Sequence, residues 1–360
     1  MYQSPELSPE KLRSLSGDVQ KLVKAADLIY VNDQLPGITR KRKADKTFTY
    51  HYNGKRITDK QELLRIRKLV IPPAWENVWI CPLHNGHIQV TGHDVRGRKQ
   101  YRYHPNWNDL RNQSKFSRLL TFGEKLPQLR LQLEHDLSDR TLSERKVLAA
   151  VISLMERTYI RIGNSEYEKL YGSYGLTTMK DQHVKISGDS LLFSFKGKKG
   201  VSHKISLRNR KLARIVKQCR EIPGKELFQY YDPEGKRHSI DSGMVNRYIH
   251  ECTGDEFTAK DFRTWAGSLN ALRAFYELGT AATEAEKKRK VVAALDYVSK
   301  QLGNTRTVCK KYYVHPMILD MYDSQSLHDH LKELDNIEKN DKLTGWTKDE
   351  LVLMKILRCR

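Results

Sequence analysis

The order of apolar and polar positions divides this chain into a β-rich first part and a helical remainder. An opening helix is expected near Ser8 to Ala26, after which short alternating stretches dominate the first hundred or so residues. Phe48 to Tyr52 alternates, Asn53-Gly54 supplies the dipeptide a type I′ turn requires, and Lys55 to Ile57 returns, so a hairpin is expected there. Asp59 to Lys68 reads as a helix. The following Ile71-Pro72-Pro73-Ala74-Trp75 reads as extended, because proline excludes the α conformation from the residue before it. A second hairpin is expected to pair Asn77–Cys81 with His87–Thr91 around a turn at Asn85-Gly86. Basic and aromatic residues then interleave from Gly97 to Pro105, as a surface meeting both phosphates and bases requires.

From about Asn108 the spacing becomes helical. Thr141 and Glu144 have capping-box spacing, and Val147, Leu148, Val151, Ile152 and Met155 recur on one face of a helix expected to end near Tyr159, with Arg161 just beyond. Three short strands follow at His183–Ile186, Leu191–Phe195 and Ser202–Leu207, with Lys198 in the turn Gly197-Lys198-Lys199-Gly200. Helices are expected again near Met244–Cys252, Ala259–Tyr276, Glu284–Leu302 and Met317–Met321, and the tail between Asp329 and Lys342 is polar and helix-prone. A boundary between two domains is expected between Trp107 and Leu119.

Charge adds a partner to this picture. Lys and Arg number 64 against 43 Asp and Glu, a formal net charge of +21. The segment Gly37 to Lys68 holds eleven Lys/Arg against three Asp/Glu, including the run Arg40-Lys41-Arg42-Lys43. Such a surplus points to a polyanion, since basic side chains gain binding free energy by releasing counterions from phosphates. The five cysteines are scattered and odd in number, which argues against a disulfide framework. Cys81, His84, His87 and His93 lie close together in sequence, but the intervening Asn-Gly turn accounts for that composition without zinc. With no run of about 18 apolar residues and no signal-peptide pattern at the start, an intracellular location is expected. Walker-type loops, zinc helices and nucleophile elbows are absent, so ATP-driven chemistry is unsupported.

The chemistry is carried by local fragments of the second part. They are Tyr159-Ile160-Arg161-Ile162-Gly163-Asn164, Phe195 to His203 around Gly197-Lys198, Lys260-Asp261-Phe262-Arg263, and Leu302-Gly303-Asn304-Thr305 leading to Lys311-Tyr312-Tyr313-Val314-His315-Pro316. At these residues, in this order and spacing, the chain resembles the type IB DNA topoisomerases of the bacterial and poxvirus-like kind, over the stretch from Ile71 to about Tyr322. The resemblance implies an α+β protein. A small β-rich DNA-binding N-terminal domain (residues 1–112) would precede a larger, mainly α-helical catalytic domain (residues 113–360) of the tyrosine recombinase/topoisomerase IB type, the two acting as a monomeric clamp on duplex DNA.

The resemblance also implies roles. Tyr313 attacks a phosphodiester to give a 3′-phosphotyrosyl bond; Arg161 and Arg263 hold the non-bridging oxygens; Lys198 protonates the departing 5′-oxygen. Asn304 stands where the poxvirus enzymes carry histidine; lacking a titratable proton, it serves as a hydrogen-bond donor and not as a general acid. Lys260 helps place Arg263 on the phosphate. Gln100, Tyr101, Tyr103 and Tyr167 match DNA-contacting positions. The energy of the cleaved bond is stored in the phosphotyrosine, so the resemblance implies that neither ATP, nor a metal, nor another small-molecule cofactor is needed, and relaxation proceeds by strand rotation. The location implied is cytoplasmic, at the nucleoid of a bacterium.

Taken singly, these residues would mean little: Arg161 would be a surface ion-pair partner, Lys198 a turn lysine, and Tyr101 and Tyr103 one face of a sheet. Tyr312 is a rival nucleophile, although the family's tyrosine directly precedes a Val-His-Pro type segment. A tyrosine recombinase is the nearest alternative; such enzymes carry His-x-x-Arg where this chain has Lys260-x-x-Arg263. A non-catalytic DNA-binding module is the second, and would have no use for the whole set.

Overall fold

A computed structural model describes residues 7–15, 18–45, 47–336 and 344–359. The chain divides into two compact units between Arg118 and Leu119. A cut at 112/113 would fall inside a helix of the first unit.

The first unit opens with α1 (Pro9–Leu15) and α2 (Val19–Ala25). The single expected helix is therefore broken: Asp18 is extended and its carboxylate accepts the Lys21 N–H, capping a second helix. Next come β1 (Ile38–Arg42), β2 (Phe48–Tyr52), β3 (Lys55–Arg56), α3 (Lys60–Lys68, capped by Asp59), β4 (Glu76–Ile80), β5 (Ile88–His93), β6 (Lys99–Tyr103) and α4 (Pro105–Ser117). The strands form one antiparallel sheet in the order β3-β2-β1-β4-β5-β6. Asn53 (φ 46°) and Gly54 (φ 78°) make the expected tight turn.

Strand β1 was hidden in the basic run. It belongs to the sheet because Ile38 is buried and because Arg40 turns inward, donating to the carbonyls of Pro72 and Trp75 with its guanidinium 4.2 Å from the Phe48 ring. The β4–β5 connection is wider than a two-residue turn, and neither Asn85 nor Gly86 has positive φ. The Gln89 amide shapes it instead, donating to the carbonyls of Leu83, His84 and Gly86. His87 is buried between Tyr30 and Trp107, and its Nδ1 accepts the Val31 N–H. Among the described residues, no three potential metal ligands converge.

The second unit contains α5 (Leu119–Leu137), α6 (Glu144–Thr158), α7 (Ser165–Tyr171), β7 (Val184–Ser187), β8 (Ser190–Lys196), β9 (Ser202–Arg208), α8 (Arg210–Glu221), β10 (Gln229–Tyr231), β11 (Arg237–Ser239), α9 (Ser242–Thr253), α10 (Ala259–Leu278), α11 (Glu284–Leu302), α12 (Arg306–Tyr312), α13 (Pro316–Asp323), α14 (Leu327–Asn336) and α15 (Lys348–Arg358). The three expected strands form the antiparallel sheet β7-β8-β9. The cap of α6 is Ser143, not Thr141; Thr141 closes a turn on Asp139. Helices α6 and α10 are buried along most of their length, α6 continuously from Lys146 to Met155. The C-terminal end of α6 and the first turns of α10 lead into the site. Part of the helix expected at 329–342 is α14; residues 337–343 lie outside the described residues. Helix α15, which the sequence reading did not foresee, buries Val352, Leu353, Met354, Ile356 and Leu357 in the core. No described helix is long and apolar enough to cross a membrane.

Candidate active site

The site begins where α6 stops. Tyr159 adopts the left-handed conformation (φ 57°, ψ 14°), which turns the chain sharply at the helix end, buries Ile160, and leaves Arg161 on an irregular segment. That segment is held by Gly175: a Cβ there would lie 2.5 Å from the Arg161 carbonyl oxygen, an approach only glycine permits. The Arg161 guanidinium donates to Asn304 Oδ1 at 2.6 Å and to the Gly303 carbonyl at 3.2 Å. Gly303 (φ 58°) ends α11, so Asn304 leaves that helix toward Arg161. Its Nδ2 is buried without a hydrogen-bond partner, a donor awaiting an acceptor.

Arg263 sits in the second turn of α10 and is buried. It donates to the carbonyls of Tyr159 (2.6 Å) and Leu302 (2.7 Å), the ends of α6 and α11, while its Nε remains unpartnered. Lys260, one turn before Arg263, stands exposed, and its charge adds slightly to the lowering of Lys198. The Tyr313 ring centre lies 5.2 Å from the Arg263 guanidinium carbon. Tyr313 follows directly on α12; its N–H bonds the Cys309 carbonyl, and its own carbonyl accepts from Ser268 Oγ, which also takes the His315 N–H. A Cβ on Gly267 would come within 2.5 Å of the Tyr313 carbonyl oxygen, so glycine is what lets this backbone lie on α10. Tyr312 points elsewhere: it is exposed, with the Lys311 ammonium over its ring.

Lys198 is exposed in the β8–β9 turn, in which Lys199 (φ 63°) and Gly200 (φ 76°) are both left-handed. Its ammonium lies 5.9 Å from the ring centre of Tyr167, which is exposed on α7. His203, a residue the sequence reading assigned no role, wedges the turn against the end of α11. A Cβ at Gly197 or at Gly303 would fall within 2.7 Å of its imidazole, which stacks on Phe195. The two glycines at the edges of recognisable fragments were the only trace of this contact in the sequence.

The structure thus brings Arg161, Arg263, Asn304, Tyr313 and Lys198 to one locus, with Tyr167 and Lys260 at its margin. Gln100, Tyr101 and Tyr103 lie on β6 of the first unit. Tyr101 and Tyr103 present stacked rings 5.8 Å apart, flanked by Lys99 and Arg111, while Gln100 is tied to Asp94.

Electrostatics set this locus apart. Burial, reinforced by Arg263, pushes Arg161 down to about 10, still protonated near neutral pH. Burial also lowers Arg263, partly offset by the Tyr313 phenol. Partial desolvation and the Arg161 charge lower Lys198, and burial with both arginines lowers His203. Among the described residues, no carboxylate pairs with Arg161, Arg263 or Lys198. Arg130, likewise enclosed, is clamped by Glu156 and Glu350, which outweigh its burial and raise its pKa. Enclosed cations normally carry counter-charges. Two such cations beside a phenol and an ammonium make an arrangement suited to an anionic substrate and to phosphoryl transfer to tyrosine.

The comparisons with known proteins specify the class. Residues 104–340 match the family described as "Eukaryotic DNA topoisomerase I, catalytic core", and residues 47–94 match "Bacterial DNA topoisomerase IB, N-terminal domain". A relative from Acanthamoeba polyphaga mimivirus, named DNA topoisomerase 1B, is 32% identical over 297 residues, covering 81% of this chain and 88% of the relative. DNA topoisomerase I of Monkeypox virus and DNA topoisomerase 1B of Vaccinia virus (strain Copenhagen) are each 22% identical over 241 residues, covering 66% of this chain and 74% of theirs. The chain belongs to the type IB DNA topoisomerase family. It is a DNA-acting isomerase, and the recombinase alternative falls away.

Proposed function

We propose that this topoisomerase cleaves one strand of duplex DNA with Tyr313 and reseals it, using Arg161, Arg263, Asn304 and Lys198. The Tyr313 oxygen bonds to phosphorus, the bond from phosphorus to the 5′-oxygen breaks, and Lys198 gives its proton to that oxygen while the phenol proton passes to solvent. Arg161 and Arg263 hold the non-bridging oxygens, where negative charge grows, as rigid permanently charged donors. The free Nδ2 of Asn304 adds a neutral donor to the same oxygens. Resealing is the reverse: the 5′-hydroxyl returns its proton to Lys198 and displaces tyrosine. Between the two steps the nicked strand rotates and supercoils relax.

The observation that carries this reading is the enclosed pair of guanidiniums without a carboxylate, beside an amide donor with no acceptor. Lys260, Tyr167, Gln100, Tyr101 and Tyr103 contact DNA, the tyrosines by stacking or by their hydroxyls. The chain acts as a monomer, a reading supported by one chain supplying all five groups, and it works where DNA is, in the cytoplasm at a bacterial nucleoid. The N-terminal unit grips DNA and the C-terminal unit performs the chemistry.

Supercoiled plasmid relaxed in EDTA without ATP, with a 3′-linked covalent adduct recovered under denaturing conditions, tests the assignment. Tyr313→Phe is expected to bind DNA and form no adduct; relaxation at the wild-type rate by that variant overturns it.

A further inference from the structure

Tyr159 does more than end a helix. Its carbonyl accepts from Arg263 at 2.6 Å, and its phenol oxygen accepts from Arg273 Nη1 at 3.3 Å. Arg273 lies on the same helix as Arg263, and its Nε donates to Asp349 in the first turn of α15. The next residue, Glu350, is buried and accepts from Trp265 Nε1 of α10 at 3.0 Å and from Arg130 of α5, which also holds Glu156 of α6. The last helix of the chain is therefore fastened at one end to the helix bearing Arg263 and to the residue whose carbonyl aims it.

That residue is held in a conformation that an L side chain adopts at a cost of about 1 kcal/mol, so something must over-determine it. Its N–H closes the helix on the Met155 carbonyl and its ring packs against the core; beyond these, the side-chain contacts that hold it are the Arg263 bond to its carbonyl and the Arg273 bond to its phenol. An arginine in a phosphate site must be placed within a fraction of an ångström to donate well, and its supports decide how much of its charge reaches the transition state.

We propose that α15 is a brace for the active site, acting through Asp349, Arg273 and Tyr159 on Arg263. Asp349, Arg273 and Tyr159 are positioning residues. They do not touch DNA; they fix the Tyr159 carbonyl and so the direction of the Arg263 guanidinium. The inference rests on the reading of Arg263 as a phosphate ligand.

The test is single-turnover cleavage at saturating full-length protein, on a duplex whose cleaved end cannot be resealed, with DNA affinity measured separately. Tyr159→Phe and Asp349→Ala are each expected to slow cleavage about 10-fold, a typical effect of displacing a supporting contact, while DNA affinity changes less than twofold. Asp349→Glu is expected to restore most of the rate. In an Arg161→Ala background the same loss persists; in an Arg263→Ala background it disappears, because the group being positioned is gone. The core variant Val216→Ala on α8, matched for loss of thermal stability, is expected to cleave at the wild-type rate. An equal loss in both arginine backgrounds, a matching loss in Val216→Ala, or full-rate cleavage by both Tyr159→Phe and Asp349→Ala overturns the brace. Full-rate cleavage by Arg263→Ala alone overturns instead the reading on which it rests.

Discussion

Replacing Asn304 with aspartate changes a single group, from a neutral donor to a negative acceptor, in a side chain of almost unchanged shape. In the structure Oδ1 accepts from Arg161 at 2.6 Å and Nδ2 has no partner. Asn304→Asp keeps the first interaction, and strengthens it by making it ionic, so the protein is expected to melt at or above the wild-type temperature. What it loses is the donor aimed at the phosphate, a loss of about 10² to 10³ in rate for a group directed at developing charge. It also sets a carboxylate about 4 Å from the phosphate, which at an effective dielectric near 20 costs about 4 kcal/mol more, partly screened by the neighbouring guanidiniums. The expected single-turnover cleavage rate is therefore lower than wild type by about 10³-fold or more. Asn304→Ala, which adds no charge, falls by about 10² to 10³, and Asn304→His, which restores a donor, stays within about 10-fold of wild type. Rates come from denaturing gels of trapped adduct, with melting curves for each variant. Cleavage by Asn304→Asp within tenfold of wild type would refute the claim that Nδ2 meets a phosphate oxygen.

Three further outcomes are expected. Gly267→Ala drives a Cβ to within 2.5 Å of the Tyr313 carbonyl oxygen, so cleavage should drop at least about 10²-fold with DNA affinity intact; an unchanged rate contradicts the placement of Tyr313 on α10. Lys198 acts as an acid only while protonated, and partial desolvation with Arg161 lowers its pKa. The cleavage rate should then decline with rising pH at a value below the ordinary lysine pKa of about 10.4, and Lys198→Ala should remove that decline as well as lowering the rate. A decline that survives in the variant assigns it to another group. Glu350→Gln removes one carboxylate from the buried Arg130 and should cost about 3 kcal/mol by chemical denaturation near pH 7. Burial opposes ionisation of Glu350, but Arg130 and the Thr347 and Trp265 hydrogen bonds outweigh it and lower its pKa. A carboxylate depressed in the folded state contributes stability above its unfolded pKa and loses it as pH falls through the folded value. The gap between wild type and variant should therefore close only below about pH 4, and a gap constant down to pH 2 would contradict this ion pair.

Much of the fold was legible from periodicity, because alternation and helical recurrence report directly which faces are buried. Strands β2, β7, β8 and β9 and helices α3, α6, α10 and α11 fall where the pattern places them. Strand β1 was masked, since the arginine at its centre is turned inward onto the Pro72 and Trp75 carbonyls and composition alone reads it as solvated charge. The turn between β4 and β5 was misjudged because Gln89, three residues beyond the Asn-Gly pair, supplies the donors that shape it. The site residues were visible in the chain as separate fragments with a family resemblance.

Their shared address was not. Arg161 meets Asn304 across 143 positions of sequence, and Arg263 reaches Tyr159 across 104. Such pairings arise because the ends of α6 and α11 meet the start of α10, a property of packing that no local window contains. The resemblance of these fragments to a known family was enough to expect a phosphate handled by two cations, a donor and a phenol. That the cations lack carboxylates, that an amide hydrogen is left without an acceptor, and that the last helix braces the site follow from three-dimensional neighbours, because a charge's environment is set by what is folded against it.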